Sequence, residues 1–374
     1  MKAPEINIKF IEAAVSIQSR VDKGVVLLII NEILQSDVSN PVNVIDENDI
    51  PTTFSDTSKE YIKLALKGYN GEAPKKITVY CTGVAEAKEA TALPDETFNK
   101  IFKAIAKLKF AYMAMPNAVE ADYKKVKNWI IEQREAGNKV KAVLPNTEGD
   151  NEGIINYINN KNVVSEEVKA EGETTTVQTE YTAAQFTSRI AGLLAAIPSS
   201  YSATYVELDE VIECDEVEDR DDAVNKGKFF IYNDGEKIKT CRAVNSLQTI
   251  PEGKSEDFKK IRVVHIMDTI NSDVSTLIED NYIGKYPNTY DNKCVLITAI
   301  DEYLTTIEGR GMLNSHSVDI DTAAQKEYLK EHGYDVAEMT NDEIKQALTG
   351  THVYISGTAA ILDAIEDIDW NINI

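Results

Sequence analysis

Ile368-Asp369-Trp370-Asn371-Ile372-Asn373-Ile374 alternates large apolar and polar side chains without a break. A period of two marks a half-buried β-strand, because successive side chains of a strand point to opposite faces. Such a strand needs a paired edge and a cover for its apolar face. No hairpin partner follows Ile374, so the partner is expected elsewhere. Near the start, Ile6, Ile8 and Phe10 alternate with Glu5, Asn7 and Lys9, and no turn signal follows at once. Two strand-grade ends suggest arms that pair with neighbouring subunits, a β-augmentation logic that builds polymers. The expected arm contacts are Ile6, Ile8, Phe10, Ile368, Trp370, Ile372 and Ile374. The alternative is a terminal strand tucked into its own sheet.

Between these ends lies a chain of 374 residues, more than one hydrophobic core usually serves, so two or three domains are expected. Hydrophobic content of 43% with only 18 Gly and 10 Pro describes an ordinary globular chain. The formal net charge of −23 argues against a nucleic-acid or anionic-membrane partner and suits a basic protein surface. Cys81, Cys214, Cys241 and Cys294 form no C-x-x-C pair, which fits reduced core thiols. No basic-then-apolar leader opens the sequence, so lysis is the expected release if the protein leaves the cell.

Val25 to Ile30 reads as a buried strand opening a small β-rich region, with a helix over Ser58 to Leu66, a strand over Lys76 to Cys81 and a linker at Ala92-Leu93-Pro94. From Asp95 the rhythm becomes helix then strand. Phe98, Ile101, Phe102, Ile105 and Leu108 fall at helical spacing before an apolar strand within Phe110 to Met115. Tyr123, Val126 and Ile130 mark a second helix with Gly137 at its C-cap, before a strand at Val140 to Leu144. This βαβ order implies parallel strands covered by helices. A helix is expected over Gly153 to Ile158, a hairpin over Val168 to Tyr181, and a small-residue helix over Ala183 to Ala196.

The acid run from Glu207 to Asp222 matches no calcium loop and reads as a solvated acidic surface. Asn233-Asp234-Gly235 signals a hairpin between Phe229 to Tyr232 and Lys237 to Cys241. Beyond Pro251, Ile261 to Ile266 leads into a long helical pattern ending at Tyr282. Cys294 to Tyr303 resumes apolar periodicity, Asp321 to His332 and Asn341 to Leu348 read as short helices, and His352 to Ile355 as a strand.

Chemistry is sparse. The four histidines, His265, His316, His332 and His352, share no metal-ligand spacing, and none precedes His265. No nucleophile elbow, phosphate-binding loop or dinucleotide turn is present, so no catalytic residue, cofactor or metal is expected.

Several segments together carry a resemblance. Glu279-Asp280-Asn281-Tyr282-Ile283-Gly284-Lys285-Tyr286-Pro287-Asn288, with Asp291-Asn292-Lys293 and the apolar helix after it, resembles the C-terminal domain of contractile phage tail sheath proteins. Pro4 to Phe10 with Gly24-Val25-Val26, and Ile365 to Asp369, resemble the N- and C-terminal arms of that family. The length is similar to that of compact sheaths of Gram-positive phages and of phage-tail-like bacteriocins.

The resemblance implies a multidomain α/β and α+β chain. Its parts are an N-terminal arm (1–20), a small β-rich domain (21–94), a subtilisin-like α/β domain without catalytic residues (95–250), an α+β C-terminal domain (251–360) and a C-terminal arm strand (361–374). A serine protease mechanism needs an imidazole, and residues 95–250 contain no histidine. The implied partners are further copies of the chain in a helical homopolymer, an inner tail tube protein, and baseplate and tail terminator proteins, with no nucleic acid and no membrane. The competing reading is a cytoplasmic α/β enzyme or binding protein whose terminal strands close its own sheets.

Overall fold

Six consecutive apolar residues, Val25–Ile30 (β1), sit in the interior of a seven-stranded sheet. An all-apolar strand demands cover on both faces, since its side chains alternate across the sheet. Val26, Leu28 and Ile30 join one buried cluster, and Leu27 and Ile29 join another. The computed structural model describes residues 24–85, 91–170, 173–250 and 252–372. Around β1 it places Val42–Val44 (β2), Lys76–Cys81 (β3), Tyr112–Ala114 (β4), Lys141–Pro145 (β5) and Ile154–Tyr157 (β6). Asn162–Ala170 (β7), Glu173–Tyr181 (β8) and Val211–Cys214 (β9) form a separate antiparallel sheet. Lys228–Phe229 (β10) then completes the large sheet in the order β10-β6-β5-β4-β1-β3-β2, parallel throughout except for β2 against β3.

Helices supply the two covers. Tyr61 and Ile62 of Asp56–Leu66 (α1) belong to the first cluster; Phe98 and Ile101 of Asp95–Ile105 (α2), and Val126, Trp129 and Ile130 of Glu120–Glu135 (α3), belong to the second. Ala183–Ala196 (α4) returns to the first with Phe186, Ile190 and Leu193. The small residues of α4 have a measurable purpose, because a Cβ added at Gly192 would lie 2.1 Å from the carbonyl oxygen of Ala65 on α1. The expected βαβ alternation is therefore observed.

Several sequence expectations need correction. Ala92-Leu93-Pro94 does not separate two domains, because β1 and β3 lie in one sheet with β4 and β5. Leu93 is itself buried in the second cluster, and its backbone N–H donates to Asp122 Oδ1 at 3.0 Å. Gly153 to Ile158 is not a helix but contains β6, whose four residues are all buried; a short apolar run carries no periodicity that tells the two apart. The hairpin around Val168 begins earlier, at Asn162, with Asn162 opposite Tyr181. The Asn-Asp-Gly turn does form a hairpin, between Ile231–Asn233 (β11) and Ile238–Thr240 (β12), after the short helix Arg220–Asn225 (α5).

The boundary expected near Pro251 falls later. The described residues up to Asp268, together with those from Ile365 onward, form one compact unit, and Thr269–Ala364 form a second. The division lies inside the single helix Ile261–Asn281 (α6). The second unit holds Tyr290–Gly309 (α7), Leu313–Ile320 (β13), Thr322–Glu331 (α8), Asn341–Gln346 (α9) and Ile355–Ile361 (β14). Thr340, not Asn341, caps α9 by accepting from the Glu343 N–H, and the final strand begins where His352 to Ile355 was expected to end. Buried Lys293 reaches Gln325 Oε1 at 3.3 Å and the Ala347 carbonyl at 3.2 Å, tying α7 to the segments around α8 and α9.

A buried ionic cluster fixes the start of α6 to the large sheet. Asp268 accepts from Arg134 Nη1 at 2.9 Å and from Lys141 Nζ at 2.8 Å, while Arg134 also faces Glu152 at 3.4 Å. Burial opposes ionisation of Asp268, yet Lys141 and Arg134 outweigh it and hold the carboxyl below its ordinary range. His265, one turn earlier, stacks on Tyr112 with ring centroids 6.0 Å apart. It keeps some surface in a cleft it shares with Leu194 and Ile197, but its Nδ1 is closed to solvent. Burial, and then the nearby Lys141 charge, push its pKa well below the ordinary histidine value.

Two outcomes follow from this cluster. Asp268→Asn leaves two buried cations with weaker compensation, and a loss of about 3–5 kcal/mol is expected, read as a lower urea midpoint at unchanged slope. The pH behaviour has a definite sign: the unfolded chain protonates His265 below about pH 6.5 while the folded chain does not. Stability is therefore fully present above that pH and falls on acidification, by up to about 1.4 kcal/mol per pH unit from this group. Melting curves of parent and His265→Phe between pH 7 and 5 should diverge, with the variant the flatter.

Candidate functional site

After β14 the chain carries the alternating stretch that the sequence singled out, and residues 362–372 lie in no helix or strand. The strand expected at Ile368 to Ile374 is thus not formed over its described part. A strand exists only against a partner ladder, and the described residues supply none here. Ile365, Ile368, Trp370 and Ile372 are 87%, 79%, 81% and 64% exposed. Ile6, Ile8, Phe10 and Ile374 lie outside the described residues.

One side chain in this stretch is largely covered, and it is a carboxylate. The Glu366 side chain is only 10% exposed. Its Oε1 accepts from Ser202 Oγ at 2.8 Å and Thr204 Oγ1 at 2.6 Å, and its Oε2 accepts from Arg242 Nε at 3.0 Å. Asp367 accepts from the other arm of the same guanidinium. The hydrogen bond that Arg242 donates to Asp367 outweighs the opposing burial and raises the pKa of Arg242 further. The anchor is positioned by β12 and the loop facing it: Thr240 Oγ1 donates to the Ala203 carbonyl at 2.6 Å, and the Ala243 N–H donates to Thr204 Oγ1 at 3.0 Å. Sequence reasoning missed this anchor because Arg242, Thr204 and Ser202 stand 124, 162 and 164 residues from Glu366. The acidic pair beside the apolar alternation was the only signal available.

The sheet nearest this stretch in sequence is equally unfinished. β13 and β14 pair antiparallel from Leu313 opposite Ile361 to Ile320 opposite Ile355, and the two strands form a sheet of their own. The five middle residues of β14, Ser356 to Ala360, are all exposed. α7 packs along β13, where His316 meets Glu308 at 2.7 Å, so β14 is the open strand of the pair.

A family model described as the phage tail sheath C-terminal domain matches residues 253–374. The tail sheath protein of Clostridium phage phiCD119 is 34% identical over 372 residues, covering 97% of each chain. The chain belongs to the tail sheath protein family. It is a structural sheath subunit. Solved sheath structures share its fold at low identity. The sheath tail protein of Desulfitobacterium hafniense superposes with a TM-score of 0.64 at 18% identity, over 85% of this chain and 94% of that one. The helical sheath of the anti-feeding prophage in its contracted state gives 0.65 at 14% identity, over 100% and 99%.

The remaining polar features of this sheath subunit are those of a scaffold. Within the acid run, Glu207 meets Lys237 at 2.6 Å and Asp222 meets Lys226 at 2.7 Å. Asp219 caps α5. Glu210 departs from the expected solvated surface: burial raises its pKa, but Arg189, bonded to it, overrides burial and holds the carboxyl low. The sheath-like segment after α6 is held by Asn288, whose side-chain amide donates to the carbonyls of Gly350 and His352 at 2.9 Å each.

Side chains this exposed contribute little to the subunit's own stability. Trp370→Asp combined with Ile372→Asp is expected to leave the melting temperature of the isolated subunit within about 2 °C of the parent. Scanning calorimetry on subunits kept below the assembly concentration checks this.

Proposed function

We propose that the subunit polymerises into a helical tube around an inner tail tube through exchanged terminal strands, and that contraction of this sheath drives the tube through a cell envelope. The observation that carries the reading is the exposure of Ile368, Trp370 and Ile372 on a segment whose sequence alternates as a strand should. An apolar row with strand periodicity and no ladder in its own chain matches a donated strand. Ile6, Ile8, Phe10 and Ile374 complete the proposed arm contacts. The open β13–β14 pair gains from any strand added to its edges.

Magnitudes favour a lattice over a single pairing. Ordering seven terminal residues costs about 7–14 kcal/mol of backbone entropy. Burial of Ile368, Trp370, Ile372 and Ile374 returns about 6–12 kcal/mol, and ladder hydrogen bonds add about 0.5–1.5 kcal/mol each. One arm is marginal alone, and several per subunit make a cooperative mesh. Such a mesh stays linked while rigid bodies move between two packings. The further partners are the tube, baseplate and tail terminator proteins, and the place of action is the tail of a virion or tail-like particle, assembled in the host cytoplasm and released by lysis. The central α/β body serves as a subtilisin-like scaffold without hydrolysis, since residues 95–250 hold no histidine to move a serine proton.

Deleting residues 368–374 should leave folded subunits that form no tubes in negative-stain microscopy, and deleting residues 1–10 should do the same. Mixing the two truncated chains should not restore long tubes, because every subunit then lacks one link. Full-length tubes from either truncated chain, or a melting temperature far below the parent's, would overturn the reading.

A further inference from the structure

The burial pattern of the C-terminal segment is inverted. A tail packed down for its own chain's stability would bury Ile368 and Trp370 and leave its carboxylates in water. Here the Glu366 side chain is only 10% exposed while Ile365 and Ile368, on either side of the acidic pair, are exposed. Burying a carboxylate is costly unless its oxygens are satisfied, and both oxygens of Glu366 are, by two hydroxyls and a guanidinium.

The receiving site is organised for that ligand. The Ser202 hydroxyl oxygen accepts from the Thr204 N–H at 3.2 Å, and the Thr204 hydroxyl oxygen accepts from the Ala243 N–H at 3.0 Å. With one acceptor position of each oxygen taken by a backbone donor, each hydroxyl can turn its hydrogen to Glu366 Oε1, although Ser202 also lies 3.0 Å from Thr204 Oγ1. Arg242 spreads its fork over two residues, Nε to Glu366 and Nη2 to Asp367. A fork of fixed donors beside two hydroxyls fits an acidic dipeptide and repels a basic one.

We propose that Ser202, Thr204 and Arg242 form a carboxylate latch for Glu366-Asp367, which fixes where the C-terminal segment leaves the first unit and holds its apolar row in solvent until another subunit takes it. The capture step rests on the arm reading above; the latch itself does not. Because Arg242 is 38% and Asp367 83% exposed, the latch is screened by salt and opens easily. A root held in place, with its apolar side presented, removes part of the search a free tail would have to make.

The protein's two tryptophans make a direct test possible. In a Trp129→Phe background, Trp370 is the sole reporter, four residues from Glu366. Fluorescence anisotropy is recorded on full-length subunits at low salt, below the concentration at which tubes grow. Arg242→Glu and Glu366→Arg, each alone, should lower the anisotropy toward that of a free peptide carrying residues 364–374, and the two together should restore it. Raising salt to about 1 M should lower it in the Trp129→Phe parent, a measurement that needs no substitution in the latch itself. Anisotropy unchanged both by the single substitutions and by salt overturns the latch. Failure of the arm reading would appear elsewhere, as tubes formed by a chain lacking residues 368–374.

Discussion

The requirement that a fully apolar strand be covered on both faces organises the first unit. Val25–Ile30 has no side that water tolerates, so one helical layer must collect around Val26, Leu28 and Ile30 and another around Leu27 and Ile29. Parallel pairing then follows for β1, β3, β4 and β5, whose crossovers travel through the covering helices α1, α2 and α3, whereas a loop joins β5 to β6. The tight approach of α4 to Ala65 and the burial of Leu93 are consequences of closing those layers without voids. A body made this way is a rigid brick, the property a sheath subunit needs if its surroundings are to rearrange while it does not.

Much of this was legible because it is periodic. Val25–Ile30, Lys76–Cys81 and Ala183–Ala196 stand where their patterns put them, bounded by their own turn and cap residues. The failures share a cause. Ile154–Tyr157 is too short for periodicity to choose between helix and strand, and Ala92-Leu93-Pro94 has a linker's composition but a core residue's burial. Neither distinction exists until the rest of the sheet is in place. The candidate site divides the same way. The apolar alternation from Ile368 was visible at once, as was its need for a partner. The cradle for Glu366 was not, because nothing local in Ser202, Thr204 or Arg242 announces a carboxylate 124 residues away in the case of Arg242. The same holds for Asp268, whose cations stand 134 and 127 residues upstream.

The bare faces of β14 bear on how such a subunit fares before it is built into anything. With Ser356 to Ala360 all exposed, β14 holds few buried apolar contacts, so its opening free energy is expected to lie below that of the doubly covered sheet. Anything that adds strands to this sheet stabilises it by mass action. On the polymerisation proposed above, incorporation would cover this segment and so remove a site open to proteases, with no dedicated signal needed.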